Sequence, residues 1–124
     1  MPLLDIWKVD KSSILKMTIE QVVSVAGDGK VLDESPFQTE LRQYFQEAPT
    51  ETLANYATHC LESSFNKSGL ILQDVVNEFG RRLEYSVENG RYQGVKNAIG
   101  HDGLWIDESG SSLVIEVKTT DAYR

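Results

Sequence analysis

The chain is short of cysteine, of basic residues and of long apolar runs, and each shortage excludes a class of protein. Cys60 is the single cysteine in 124 residues, so neither an intramolecular disulfide nor a cysteine-rich zinc site can form. No stretch approaches the ~18 consecutive apolar residues of a membrane span. The start Met1-Pro2-Leu3-Leu4-Asp5-Ile6-Trp7-Lys8 lacks the basic region followed by an apolar stretch that directs secretion, so a cytoplasmic location, away from membranes, is expected. Twelve Lys plus Arg stand against 19 Asp plus Glu, giving net −7 and a pI near 4.7, a balance that on average repels nucleic acid and acidic membranes.

What is present suits a folded domain. Hydrophobic residues make up 40% and charged residues 25%, too apolar a mixture for disorder, and the length fits one domain or one small domain with an extra helical layer. The charge is uneven. Residues 1–30 carry four basic and four acidic side chains, residues 31–80 two and eight, and residues 81–124 six and seven. The acidity therefore belongs to the middle, and the average potential describes the C-terminal third poorly.

The first two thirds read as helical. Ile14, Ile19, Val22 and Val23 form an approximate stripe before Gly27-Asp28-Gly29, and Ser35-Pro36-Phe37-Gln38 combines a capping serine, a proline at the first helical position and a glutamine three residues after the cap. A helix is predicted over about 36–47. A second follows Pro49 and Thr50, with Leu53, Tyr56, Ala57, Cys60 and Leu61 turned inward. From Ser68 the stripe Leu72, Val75, Val76, Phe79, Leu83 and Val87 predicts a helix to about Glu88, stopped by Asn89-Gly90. Arg81 and Arg82 then fall on its solvated outer face, while Cys60, Trp7 and Trp105 are expected to pack in the core.

After that helix the period changes to two. Leu104-Trp105-Ile106, the polar Asp107-Glu108-Ser109-Gly110-Ser111 and Leu113-Val114-Ile115-Glu116-Val117-Lys118 predict an antiparallel hairpin, with a weaker strand over 94–98. Glu116 and Lys118, two apart, share a sheet face, and Leu113, Ile115 and Val117 share the other. The hairpin brings the start of its first strand level with the end of its second, which places Asp102 beside Glu116. Two adjacent carboxylates repel unless one is protonated or a cation bridges them, and all-oxygen ligands suit Mg²⁺ or Mn²⁺. Glu84, late in the helix, is a third candidate, and Gly80 one turn earlier leaves room for the helix to approach the sheet. Asp28-Gly29-Lys30 repeats the acid-x-Lys pattern in a glycine turn, where nothing holds the two side chains on one face.

The order Glu84, then His101-Asp102-Gly103-Leu104-Trp105, then Glu116-Val117-Lys118 resembles the PD-(D/E)XK nuclease superfamily, the fold of many restriction endonucleases. The resemblance covers about residues 68–124, with His101 where the family name has proline. It implies an α/β (α+β) fold: a helical N-terminal subdomain over 1–67, then a partial restriction-endonuclease-like core over 68–124 made of a helix and a three-stranded mixed or antiparallel sheet. It implies a Mg²⁺- or Mn²⁺-dependent endonuclease that hydrolyses DNA phosphodiesters, possible in restriction or defence. Asp102, Glu116, Glu84 and the Val117 carbonyl would hold the metal and Lys118 would orient the attacking water. Arg91, Lys96 and His101 are the substrate-binding candidates. The family core continues with a helix and a strand after its lysine, whereas this sequence reaches Arg124. A fragment is therefore expected, with Thr119–Arg124 starting the next helix, or else a core completed by a homodimer or strand exchange. The alternative is a non-catalytic protein-interaction module that uses the acidic region 31–80 as its binding surface.

Overall fold

Six helices precede a three-stranded sheet in the computed structural model, which describes residues 1–92 and 101–118. The strand expected over 94–98, Lys96, and the helix start expected over 119–124 lie outside the described residues. Helices α1 (Pro2–Val9), α2 (Lys11–Leu15), α3 (Ile19–Val25), α4 (Pro36–Glu47), α5 (Thr50–Glu62) and α6 (Ser68–Arg82) lead into β1 (Ser86–Asn89), β2 (Gly103–Ile106) and β3 (Ser112–Ile115). The strands form an antiparallel meander in the order β1-β2-β3. The architecture is thus mixed helix plus antiparallel sheet. Among the described residues no helix is long and apolar enough to cross a membrane.

Capping residues divide the N-terminal stripe into separate short helices. The Asp10 carboxylate accepts from the Ser13 amide at 3.3 Å and from the Ser12 hydroxyl at 2.7 Å, which starts α2 directly after α1. Thr18 and Gln21 form a reciprocal capping box at the start of α3, satisfying two amides that a helix N-terminus otherwise leaves free. Helix α4 begins where its sequence signal sits, with Ser35 Oγ accepting the Gln38 amide at 3.1 Å. The Asp28-Gly29-Lys30 copy forms a turn in which the Asp28 carboxylate accepts the Lys30 amide at 3.0 Å.

Helix α6 is shorter than its apolar stripe predicts. It ends at Arg82, and Glu84 adopts the left-handed conformation with φ 71°. The Glu84 amide donates to Arg81 O and the Tyr85 amide to Gly80 O, at 3.0 and 3.1 Å, the paired bonds of a Schellman motif. Val87, read as the last residue of the stripe, belongs to β1 instead. Gly80 does permit the close approach expected of it, since a Cβ there would lie 2.5 Å from Trp105 Cε2. Trp105, half-buried, also meets Tyr85 at 5.4 Å between ring centroids.

One apolar cluster joins α1, α2, α3, α4, α5 and α6, with Leu3, Ile14, Phe37, Leu41, Leu53 and Ile71 fully enclosed. It runs across residue 67. Trp7 and Cys60 lie within it, and burial pushes the Cys60 thiol up to about 12. Of the eight carboxylates in the acidic block three, Glu40, Asp74 and Glu78, are buried, and Glu34, Glu47, Glu51 and Glu62 are exposed. Strands β1 and β3 are the sheet edges among the described strands, and on β3 Leu113 and Val114 are exposed.

A polar clasp ties the helical layer to the segment that follows β1. Arg42 Nη2 and Nε donate to Asp74 Oδ1 at 3.1 and 3.3 Å, and the Tyr92 hydroxyl donates to Asp74 Oδ2. Asp33 Oδ1 accepts the Tyr92 amide at 2.8 Å and Gln38 Nε2 at 3.2 Å. Burial raises the Asp74 carboxyl above its ordinary value, outweighing the opposing pull of Arg42 and Tyr92. A carboxyl raised on folding favours the folded state most when protonated, so its contribution falls as pH rises through the folded value. The stability of the native chain minus that of Asp74→Asn is therefore expected to decline from about pH 4 upward. Urea midpoints taken between acid and neutral pH would measure it, and a difference that does not change with pH would refute it.

Candidate metal centre

The site starts from a turn. Asp107 accepts from the Ser109 amide at 3.0 Å, the Ser111 amide at 2.9 Å and the Ser109 hydroxyl at 2.7 Å, while Gly110 takes φ 89°, a value glycine reaches without a Cβ penalty. Those hydrogen bonds hold the Asp107 carboxyl below the usual range. The turn sets the register Ile106↔Ser112 through Gly103↔Ile115, the antiparallel hairpin expected from the alternation.

At the end remote from the turn the ladder departs from simple pairing. The Asp102 amide donates to Ile115 O at 3.0 Å, and Ile115 is already the partner of Gly103. Two residues of one strand thus face one of the other, as in a β-bulge, which redirects a side chain. The Asp102 carboxylate reaches further along the chain, its Oδ2 accepting the Val117 amide at 2.6 Å. Asp102 therefore brackets Glu116, with its backbone on Ile115 and its carboxylate on Val117. This differs in detail from a direct Asp102-beside-Glu116 pairing, because regular register cannot foresee the extra residue. Strand β3 closes at Ile115, so Glu116 and Lys118 follow the strand rather than lie within it, and both are exposed. Val117 packs partly against the core.

The carbonyl of Asp102 is also held. Asp102 O accepts the Gly90 amide at 2.9 Å and Asn77 Nδ2 at 2.8 Å. A Cβ at Gly90 would overlap the carbonyl oxygens of His101 and Asp102, so this crossing needs glycine. Gly90 thus ends β1 and admits β2, a different task from stopping a helix.

Glu84 is not brought to this place. It stands at the Ser86 end of β1, while Asp102 stands beyond the Asn89 end, with about 13 Å of strand between them. The helix residue level with Asp102 is Asn77. Arg81 and Arg82 are engaged within the fold, not solvated. Arg81 Nη2 donates to Asn89 Oδ1 at 2.8 Å, and Arg82 binds Glu78 and the end of α4. Arg91 is exposed and pairs with Asp33 at 3.8 Å, and His101 is half-exposed beside Asp102.

Asp102, Glu116 and the Val117 carbonyl, the oxygens proposed from the sequence, are all hard donors, and of them the structure ties the Asp102 carboxylate to the Val117 amide. Among the described residues no group of three or more His, Cys, Asp or Glu side chains is gathered to hold a metal. Two carboxylates are nevertheless compatible with Mg²⁺, which keeps several waters and takes its other ligands from phosphate oxygens. The donor chemistry fits Mg²⁺ or Mn²⁺ and does not fit a soft, thiolate-seeking metal.

Asn77 escaped the sequence reading, and Gly90 entered it only as a helix stop. Each has a weak signal, a polar residue among the inward positions of a helix and a glycine just after an alternating tetrapeptide. Comparison with protein-family models, with curated proteins and with solved structures found no match to the chain in any of the three.

Proposed function

We propose that the chain supplies the metal-binding half of a divalent-cation-dependent nuclease site acting on DNA phosphodiesters, with a restriction-endonuclease-like arrangement. The observation that carries this reading is the Asp102 carboxylate on the amide of Val117, inside Glu116-Val117-Lys118. A helix followed by an antiparallel meander, with an aspartate at the head of β2 and the Glu-x-Lys at the tail of β3, supports it.

Asp102 and Glu116 would supply the anionic oxygens, and the amide of Val117 holds the Asp102 carboxylate on the Glu116-Val117-Lys118 segment. A divalent cation bound there supplies Lewis-acid polarisation of the phosphate and a more acidic water. Lys118 carries its ammonium group two residues beyond Glu116, exposed to solvent. There it orients the attacking water and stabilises negative charge developing on the phosphate. Arg91, which follows Gly90, and His101, which precedes Asp102, are the residues proposed to meet the phosphate backbone. The overall net charge of −7 is a smaller obstacle than it first looks, since three of the eight central carboxylates are buried and Asp102 and Glu116 are assigned to a cation.

Cleavage of supercoiled plasmid by the full chain should require Mg²⁺ or Mn²⁺ and cease with a chelator. Glu116→Ala and Lys118→Ala should each lower the rate by about 100-fold or more. Cleavage that persists unchanged in both variants would overturn the reading.

A further inference from the structure

We infer that Asn77 is the positioning residue for Asp102, an inference that rests on the reading of Asp102 as a cation ligand. Asn77 is completely buried in α6, and both ends of its amide are committed. Nδ2 donates to Asp102 O at 2.8 Å, and Oδ1 accepts from Trp105 Nε1 at 3.0 Å. Because indole N–H can only donate and a carbonyl can only accept, the amide has one workable orientation.

The fold has made room for this contact. A Cβ on Gly103 would overlap Asn77 Oδ1, so the strand meets the helix where the strand has no side chain. The bulge at Asp102 and Gly103 takes Asp102 out of the regular ladder, and ladder bonds alone do not define its direction. Asn77 and the Gly90 amide together occupy both lone pairs of Asp102 O, fixing the plane of the 102–103 peptide. That plane sets where the Asp102 side chain leaves the backbone, and so how it arrives at Val117. Asn77 does not touch the reacting atoms. It holds a residue that does, as outer-shell groups commonly hold metal ligands.

The test uses Mn²⁺ as probe, with free ion measured by electron paramagnetic resonance on the full chain. Native chain should take up Mn²⁺ and Glu116→Gln should lose most of that uptake. Asn77→Ala should raise the apparent Kd by about 10-fold or more, while Cys60→Ala, which opens a cavity in the core away from Asp102, should leave it unchanged. Trp105→Phe removes the N–H that orients the Asn77 amide and should raise the Kd by several fold, about 3-fold or more. This variant decides the matter if Asn77→Ala does not give a folded circular-dichroism spectrum. No uptake by native chain overturns the metal reading and this inference with it. Uptake that Glu116→Gln abolishes but folded Asn77→Ala or Trp105→Phe leaves intact overturns the inference alone. An equal loss in Cys60→Ala overturns it too, since the effect would then be general loosening.

Discussion

Arg82→Ala is expected to destabilise the chain by about 3 kcal/mol, a large part of the ~5–15 kcal/mol that holds an ordinary domain together. The last carbonyls of a helix have no partner within it, and at the end of α4 Arg82 supplies one. Its Nη2 donates to Phe45 O at 2.8 Å and Ala48 O at 2.5 Å, its Nη1 to Thr50 Oγ1 at 2.8 Å and its Nε to Glu78 Oε2 at 2.9 Å. One guanidinium thus joins the end of α4, the start of α5 and the body of α6. Truncation strands the buried Glu78 carboxylate with only Arg81, at 3.6 Å. Arg82 is partly exposed, which places the loss at the low end of that for a buried pair. Arg82→Lys should recover less than half, because a single ammonium cannot reproduce the planar fork. Urea unfolding measures both, and a loss below about 1 kcal/mol in Arg82→Ala would return Arg82 to the solvated face.

Glu40→Ala should cost a similar amount, about 3 kcal/mol, through one buried and one part-buried amide left without acceptors. Glu40 is fully buried, yet the groups it binds are backbone N–H donors. Oε2 accepts the Leu4 amide at 3.0 Å and Oε1 the Gly27 amide at 2.6 Å. The first belongs to the opening turn of α1, where unpaired amides and the helix dipole favour an anion. The second fixes the turn at Gly27, whose φ of 51° and close contact with the Pro36–Phe37 backbone leave no room for a side chain. Glu40→Gln keeps one acceptor but sets an NH₂ against an N–H, so about half the loss should remain. Equilibrium denaturation of both variants checks the order. Equal stability of Glu40→Ala and native chain would mean that water satisfies these amides.

Why these two residues escaped a sequence reading is instructive. Apolar periodicity assigns every polar residue on an amphipathic helix to solvent, yet Asp74, Glu78 and Arg82 form an i, i+4, i+8 row that faces α4 and its end. Nothing in single-residue character marks such a row as inward. The close of α6 was hidden for a related reason, since Glu84 occupies a left-handed position where glycine is usual, and the stripe runs on through Val87 to the next glycine. By contrast, α4 was legible because Ser35, Pro36 and Gln38 each act locally on its first turn. In the candidate site, hairpin counting from Asp107–Ser111 brought Asp102 to the Glu116-Val117-Lys118 segment. The bulge, the Val117 amide contact and Asn77 depend on what packs behind the strand, which counting along it does not contain.

The turn at Asp107 also bears on the order in which the chain folds. Its hydrogen bonds close within five residues, the kind of loop a hairpin can close in microseconds. The Glu40 contact with Leu4 spans 36 residues and the Arg82 contacts with Thr50 and Phe45 span 32 and 37, and longer loops carry more closure entropy. The register of Asp102 against Ile115 and Val117 thus has a local origin, available before the helices have found one another, while the direction of the Asp102 peptide waits for α6 to arrive with Asn77. Assembly of the candidate centre is in that sense a two-stage event, with pairing first and aim second.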